Sequence, residues 1–527
     1  MGRPFVLWLH QPEVPAEPRT AQVDGRQEVR KLITIDLNRV EGDVEFRLDV
    51  EDHIVRDSWC VGTMYRGYEQ ILVGRAPSDV LVIVPRICGI CSTAQLYAGV
   101  RALEDAWGIQ PAPNGVRVRN LCLMAEAVMN DARQTFVMFC PDFCHPAYRS
   151  HPLYEKMVTA FEPPLKGCLA RQAVLRSKPM LGVITAFAGQ WPHATYMAPG
   201  GVTCEISAEK LANCEAAIDE YQSWYETAVL GCSIDQWRGL QTTEQFLGWL
   251  EQHPESGAGL YAGFGRSIGL HQLGQGSEYL LSGGCYPRPD NKGFLMPGGF
   301  VNGEHIEAFD HHLVREHTRY SWFTDHGPTH PWDSVTTAEH GQDRGQYSHA
   351  KATRYADQVV QLGPMVDLYL ADDPLIATWM QAEGPSTWLR QLARLHRPVV
   401  VMQLMRKTIA ELRTESQEPA MVWPAEVPDD AQGFGVVNAA RGTLGHWICI
   451  RDGKISNYQV ITPTTWNASP RDSHGRRGHW EDSFVGLTVP DLENPLQLGH
   501  IIRSHDACLV CTTHMIRTGQ RRSFSLY

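Results

Sequence analysis

The 527-residue sequence lacks any apolar run near the roughly 20 residues that a membrane-spanning helix needs. Its candidates are short, such as Val80-Leu81-Val82-Ile83-Val84. It lacks a basic excess: 47 Lys and Arg stand against 59 Asp and Glu, a net charge of −12. A nucleic-acid binder needs a basic footprint, so that partner class is excluded. The first residues (MGRPFVLWLHQPEVP) have no basic start followed by a long apolar stretch, so no secretory signal is read there. Val6 breaks the myristoylation pattern that a Met-Gly start would otherwise suggest. No internal repeat or low-complexity tract is present. The expectation is a soluble, cytoplasmic chain, associated with a membrane only if partner subunits carry it there.

What is present is globular: 43% hydrophobic and 20% charged residues. Residues 31–59 alternate apolar and polar, which predicts a small antiparallel sheet. Helical periodicity covers 92–107, closed by Gly108 and Pro111, and again 117–139. Further helices are expected over about 152–176 (interrupted by Pro163 and Pro164), 207–230, 356–380 and 384–413. Residues 257–300 are Gly-rich with strand-like pieces. Residues 414–432 are Pro- and acid-rich, a surface excursion, and 434–466 returns to strands with a turn at Asp452-Gly453. The fold class is α+β, helix-dominated, with small peripheral β-sheets.

Fourteen cysteines remain to be explained. In a large chain without a secretory signal they are expected to be reduced. Cys60, Cys122, Cys168, Cys204, Cys214, Cys232, Cys285 and Cys449 read as small buried hydrophobes. Two Cys-x-x-Cys pairs stand apart: Cys88 with Cys91, and Cys508 with Cys511. A two-residue spacer lets both thiolates meet one metal, and four thiolates make a soft site suited to Zn, Fe or Ni. A thioredoxin-like redox pair lacks its βαβ context here. A zinc ribbon would separate its pairs by about 15–20 residues, whereas here 416 intervene. Spacing alone leaves a metal site of open identity.

The flanks are more specific. Arg86-Ile87-Cys88-Gly89-Ile90-Cys91 near the front and Asp506-Ala507-Cys508-Leu509-Val510-Cys511-Thr512-Thr513-His514 near the end resemble the two signature motifs of nickel–iron hydrogenase large subunits. Arg39-Val40-Glu41-Gly42, Tyr65-Arg66-Gly67-Tyr68-Glu69, Trp191-Pro192-His193, Pro199-Gly200-Gly201-Val202, Lys351-Ala352-Thr353-Arg354-Tyr355 and Pro463-Thr464-Thr465-Trp466-Asn467 extend the resemblance over roughly residues 31–514. It implies a large-subunit hydrogenase fold with a central helical bundle. It also implies an N-terminal extension (1–30), one catalytic domain (31–514) and a tail (515–527) removed on maturation.

By that resemblance all four cysteines bind nickel. Cys91 and Cys511 also bridge to an iron that carries CO and CN ligands, and Cys88 and Cys508 are terminal. Cys508 and Glu41 are the implied proton acceptors during H2 oxidation. Arg441 is implied to hang over the metals with Asp506 and Asp131 as carboxylate partners, the latter through a one-residue shift in the alignment. Thr464 is implied to donate to an iron-bound cyanide. Glu69, His514 and the carbonyl of Val460 are the implied ligands of Mg2+. The implied partners are an iron–sulfur small subunit, a maturation endopeptidase and metal-insertion factors, in a higher oligomer of heterodimers.

Four positions depart from the family pattern. Gln95 stands where a histidine is usual, Asn438-Ala439-Ala440-Arg441 replaces Glu-Ala-Pro-Arg, and Ala507 replaces proline. The nearest branch is the uptake type. Rival readings are a hydrogen sensor on the same scaffold, a metal-free structural or quinone-binding relative, and a zinc-stabilised binding protein. The tail argues against the first and the four cysteines against the second. Gly263-Phe264-Gly265 through Gly269 has the wrong spacing for a dinucleotide loop. Cys140, Cys144 and His145 are expected in a core or interface role. His311, His312 and His317 are expected at the surface, and Asn467-Ala468-Ser469 fits a glycosylation acceptor without a secretory route.

Overall fold

The computed structural model describes residues 30–339, 343–424 and 426–509. Cys511, His514, the 515–527 tail and residues 1–29 of the N-terminal extension lie outside the described residues.

The alternating segment forms a three-stranded antiparallel sheet: β1 (Arg30–Leu37), β2 (Val44–Glu51) and β3 (Ile54–Gly62), with β2 central. One face, including Phe46 and Leu48, packs on Trp480 and Phe484 to make a core of its own. The helix predicted over 92–107 is α1 (Ser92–Trp107), ended by Gly108 in the left-handed conformation. The next is α2 (Pro113–Arg133), started by proline at its first turn, which needs no N–H there. It runs on as a π-helical turn through Phe139. Nearly all of α2 is buried, on every side, so it is a core helix and not a surface one.

Around α2 lie helices Lys178–Ala188 and Ala208–Trp224 and the 28-residue α3 (Thr387–Thr414). These four form the central bundle. Two stretches differ from the sequence expectation, one in type and one in where its helix starts. Gly257–Ser267, in the Gly-rich stretch, is a helix capped by Ser256, since small residues let it lie flat against Phe136 and Trp388. The 356–380 segment starts its helix only at Pro364, after two short strands, Ala352–Tyr355 paired with Val314–His317 and Val360–Gln361 paired with Tyr279-Leu280.

A second antiparallel sheet, β4 (Ala431–Ala439), β5 (Gly442–Arg451) and β6 (Lys454–Ile461), lies against α1. The contact is close: a Cβ at Gly433 or Gly435 would sit 2.2 or 2.1 Å from a carbonyl oxygen of α1, so only glycine fits. The β5–β6 turn falls at Asp452-Gly453, both with positive φ, as the sequence pattern indicates. The short α4 (Pro463–Asn467), closed by a Thr462–Thr465 capping box, follows β6. Helix α5 (Leu496–Ser504) leads into the second cysteine motif. Among the described residues no helix is long and apolar enough to cross a membrane.

Candidate metal centre

Cys91 is the N-cap of α1 and offers no side-chain cap. A helix start leaves backbone N–H groups without partners. Here the buried Glu126 of α2 accepts from Thr93 N–H at 2.9 Å and Ala94 N–H at 3.2 Å, and Trp191 Nε1 donates to it at 2.9 Å. A carboxylate at the positive end of α1 therefore fixes the helix start, and with it Cys88 and Cys91. Both thiols are buried.

The second motif reaches the same place by long-range pairing. Cys508 forms a parallel bridge with Glu41, through Glu41 N–H to Ala507 O at 3.0 Å and Leu509 N–H to Glu41 O at 2.6 Å. Its own N–H donates to Thr464 Oγ1 at 3.2 Å. Asp506, two residues before it, has φ of 58°, a conformation that aspartate tolerates better than most residues. The 38–41 loop is held in turn by α5: Arg503 Nη2 donates to Asn38 O at 2.9 Å, and Arg503 Nη1 to the buried Asp142 at 2.6 Å. Arg39 also binds Asp142. Burial works against a charge on Asp142, yet Arg39 and Arg503 hold its carboxyl below the usual range. This gives the Cys140–Cys144 segment its role as an anchor, through the aspartate between the two cysteines.

As a result Cys88 Sγ lies 3.5 Å from Cys508 Sγ, although 420 positions separate them in sequence. That is too long for a disulfide. It suits two thiolates on one ion: at about 2.3 Å each, a tetrahedral pair is roughly 3.7 Å apart. Arg441 stands beside them at the tip of the β4–β5 hairpin. Gly442, with φ of 119°, completes that turn. Arg441 Nε donates to Asp506 O at 2.8 Å and Nη2 to Asp506 Oδ1 at 3.1 Å. Among the described residues its buried Nη1 has no hydrogen-bond partner. Burial opposes its charge, but Asp506, Cys508, Cys91 and Cys88 together keep it firmly protonated. An orphaned cationic donor beside clustered thiols is what a metal with anionic ligands would satisfy, so the residues fit the group.

Asp131 is a correction. Its carboxylate faces Arg397, at 2.8 and 2.6 Å, with Arg394 at 3.6 Å, and not Arg441. The neighbour one position earlier, Asn130, reaches Arg441 through Oδ1 at 3.4 Å and Asp506 through Nδ2 at 2.8 Å. Successive residues on a helix point about 100° apart, so the one-residue shift exchanges the partner. Arg390, Arg394 and Arg397 escaped sequence reasoning. They are spaced four and three residues apart, on one buried face of α3, where apolar residues would be expected. Arg394 lies 3.5 Å from Asp506 and so braces the carboxylate that holds Arg441.

Glu41 is half-buried beside the thiols. Burial, then the Cys88 charge, push its carboxyl up, with Arg441 opposing. Glu69 Oε1 accepts from Val460 N–H at 3.0 Å and from Lys351 Nζ at 3.2 Å, at a cavity of about 30 Å³ also lined by Thr336 and Thr465. Glu69 and Val460 are thus neighbours, but through the Val460 N–H and not its carbonyl, and the cation on Glu69 here is the Lys351 ammonium. His317 is a further correction: it is buried and hydrogen bonds Ser473, because β-pairing to Ala352 carries it inward. His311 is partly buried against Phe434, and His312 is exposed.

Two of the departures, Asn438 and Gln95, have new partners in the structure. Asn438 Nδ2 donates at 2.6 Å to the buried Asp367, which restores a carboxylate near the lost glutamate; burial pushes Asp367 up to about 6. Gln95 Oε1 meets His446 Nε2 at 2.9 Å, and His446 Nδ1 meets the Tyr458 hydroxyl at 2.7 Å, all three buried.

Comparison with known proteins gives a consistent result. The family model described as nickel-dependent hydrogenase matches residues 66–162 and 265–514. The chain is 30% identical to the periplasmic [NiFeSe] hydrogenase large subunit of Desulfomicrobium baculatum, over 95% of this chain and 97% of that one. It is 27% identical to the uptake hydrogenase large subunit of Rubrivivax gelatinosus, over 92% and 96%. The solved structure of the H2-activated [NiFeSe] hydrogenase from Dm. baculatum superposes with a TM-score of 0.79 at 28% identity, covering 92% of this chain and 100% of that one.

Proposed function

Given that the chain belongs to the nickel-dependent hydrogenases, we propose that it is the catalytic subunit of an uptake enzyme that oxidises H2 to two protons and two electrons. The observation that carries this is the meeting of Cys88 and Cys508 under Arg441 and beside Glu41. Cys88, Cys91, Cys508 and Cys511 would hold nickel, the second and fourth shared with an iron bearing CO and CN. When bound, that centre supplies the polarisation that splits H2.

The chain's own groups do the rest. The Cys508 sulfur accepts the first proton and Glu41 carries it outward. A carboxyl whose pKa is raised by burial takes up and releases a proton closer to neutral pH than an exposed one. Arg441, fixed by Asp506 and Asn130, would offer its Nη1, which has no partner among the described residues, to anionic ligands of the bound centre. A hydroxyl both accepts and donates, so Thr464 holds Cys508 and keeps its proton for a cyanide. Asp131 serves indirectly, by orienting Arg397 and Arg394 around Asp506. Glu69 and the Val460 carbonyl, with His514, would take Mg2+, a hard ion that suits oxygen ligands.

Electrons leave through an iron–sulfur small subunit. This agrees with relatives that are large subunits by name. Metal-insertion factors would load the centre, a maturation endopeptidase would then remove the 515–527 tail, and the heterodimers would join into a higher oligomer. The reading itself is tested by infrared spectroscopy of the purified heterodimer. Bands from metal-bound CO and CN, with H2-dependent dye reduction, are expected; matured protein without them would refute it.

A further inference from the structure

Three imidazoles meet at a second place, outside the cysteine centre. His311 and His312 lie in one 3-10 turn, His311–Leu313, capped by Asp310, whose Oδ1 accepts from His312 N–H at 2.9 Å. His330 comes from the loop that follows the strand Val314–His317. One ring nitrogen of each histidine lies within 4.8 Å of the other two. The ring centroids of His311 and His312 are 4.0 Å apart, and His330 lies 5.7 Å from the first and 5.9 Å from the second. Three basic rings this close repel one another when protonated. Burial, then His312 and His330, push His311 down to about 4, so at neutral pH it is a neutral ring with a lone pair to give. Burial pushes His330 down as well.

Aromatic packing alone does not account for the trio. His311 stacks on Phe434 at 4.3 Å and meets Trp332 edge-on at 5.0 Å, which fixes its ring. Yet its buried Nδ1 has no hydrogen-bond partner among the described residues, and a buried polar atom left that way is costly. His330 is placed by two bonds: Nδ1 accepts from Trp332 N–H at 3.2 Å, and Nε2 therefore donates to the His311 carbonyl at 3.1 Å. One of these is given up when His330 takes an ion. His312 is exposed, and its side chain makes no hydrogen bond among the described residues, so its ring can turn to complete the set. Nitrogens about 2.0–2.1 Å from a tetrahedral ion are roughly 3.3 Å apart, so side-chain shifts of about 1 Å close the site.

We propose that His311, His312 and His330 form a second metal site, for one divalent ion of the zinc type. Imidazole suits Zn2+, Cu2+ and Ni2+, whereas Mg2+ and Ca2+ prefer oxygen. Three protein ligands leave a fourth position to water. Asp310 and Asp333 set negative charge close by, against the one cation Arg315 named among the groups acting on these rings. The ion would staple the 310–313 turn to the loop carrying His330, and an ion that binds only the folded chain stabilises it. None of these residues belongs to the cysteine centre, so the site does not depend on the Ni–Fe reading.

The probe is Zn2+, titrated into the purified heterodimer against a chromogenic chelator and followed by zinc-edge X-ray absorption. One zinc per large chain is expected, with imidazole nitrogen and no sulfur in its shell. His312→Gln and His330→Gln should each weaken zinc binding at least about 10-fold, since even the loss of a group behind a ligand costs that much. His305→Gln, an exposed histidine outside the trio, should leave it unchanged. Zinc should raise the melting temperature of the wild type and not that of His312→Gln. If His330→Gln does not fold, His312→Gln decides, since its side chain is exposed. No zinc bound by the wild type, sulfur in the zinc shell, or equal affinity in His312→Gln would each overturn the site.

Discussion

The two cysteine motifs reach one point by opposite means. Cys88 and Cys91 sit at the start of a long buried helix, with Glu126 closing the exposed N–H groups. Their placement is mostly local. Cys508 follows a left-handed aspartate and is held by groups from distant parts of the chain: Glu41, Thr464 and, through the 38–41 loop, Arg503 and Asp142. The difference teaches where the centre is built and where it is closed. The front motif is a rigid half-site, and the rear motif is docked onto it by a strand bridge and buried ion pairs.

Breaking either half-site outright should have the largest effect. Cys88→Ser and Cys508→Ser each remove a soft ligand, and both are expected to lose nickel and H2 oxidation altogether, measured as metal per chain and dye reduction. Glu41→Gln keeps the strand bridge, which is made by backbone, and removes only the proton carrier. Activity should fall by about 10²- to 10⁴-fold with nickel content unchanged; a parallel loss of nickel would show that Glu41 serves the docking instead.

The rear motif's dependence on distant ion pairs gives the next effect. Asp142→Asn leaves Arg39 and Arg503 short of their carboxylate, and breaking such a buried pair costs about 3–5 kcal/mol. Denaturant unfolding should show this loss. Glu126→Gln should in turn affect the front half-site and leave the 38–41 loop protected from hydrogen exchange. Thr464→Val removes the acceptor for the Cys508 N–H. An unsatisfied buried donor costs about 1–3 kcal/mol, read in the same unfolding assay.

The effect furthest from the centre is a pH slope in the region joining β3 to the 478–482 turn. Burial pushes Glu481 up to about 7, against donors from Cys60, Tyr347 and Gly478. Between its ordinary value of 4.5 and about 7 the folded chain keeps this proton and the unfolded chain has lost it. Stability therefore falls as pH rises through that window, by at most about 1.4 kcal/mol per pH unit, and the cost remains above it. Glu481→Gln should flatten the slope, whatever it does to absolute stability.

Much of the front half-site was legible in sequence because its geometry is local. The Cys-x-x-Cys spacing, the periodicity of 92–107 and the Asp452-Gly453 turn each carry their structure within a few residues. Arg441, Asp506 and Glu41 were legible only through motif resemblance, since nothing near them in the chain says what they will face. Asp131 went astray for the same reason: a one-residue difference in helical phase decides between Arg441 and Arg397. The arginine row on α3 left a signal, cations at four- and three-residue spacing along a helix with no solvent face. Asp142 left none, because nothing near it in the chain shows that Arg39 and Arg503 will reach it from elsewhere.

The central claim is that both motifs meet on one nickel. X-ray absorption at the nickel edge of the matured heterodimer tests it most directly. Four sulfur neighbours per nickel, one nickel and one iron per large chain, and loss of nickel in Cys508→Ser are expected. Zinc alone in the chain, or nickel with sulfur from only one motif, would contradict it.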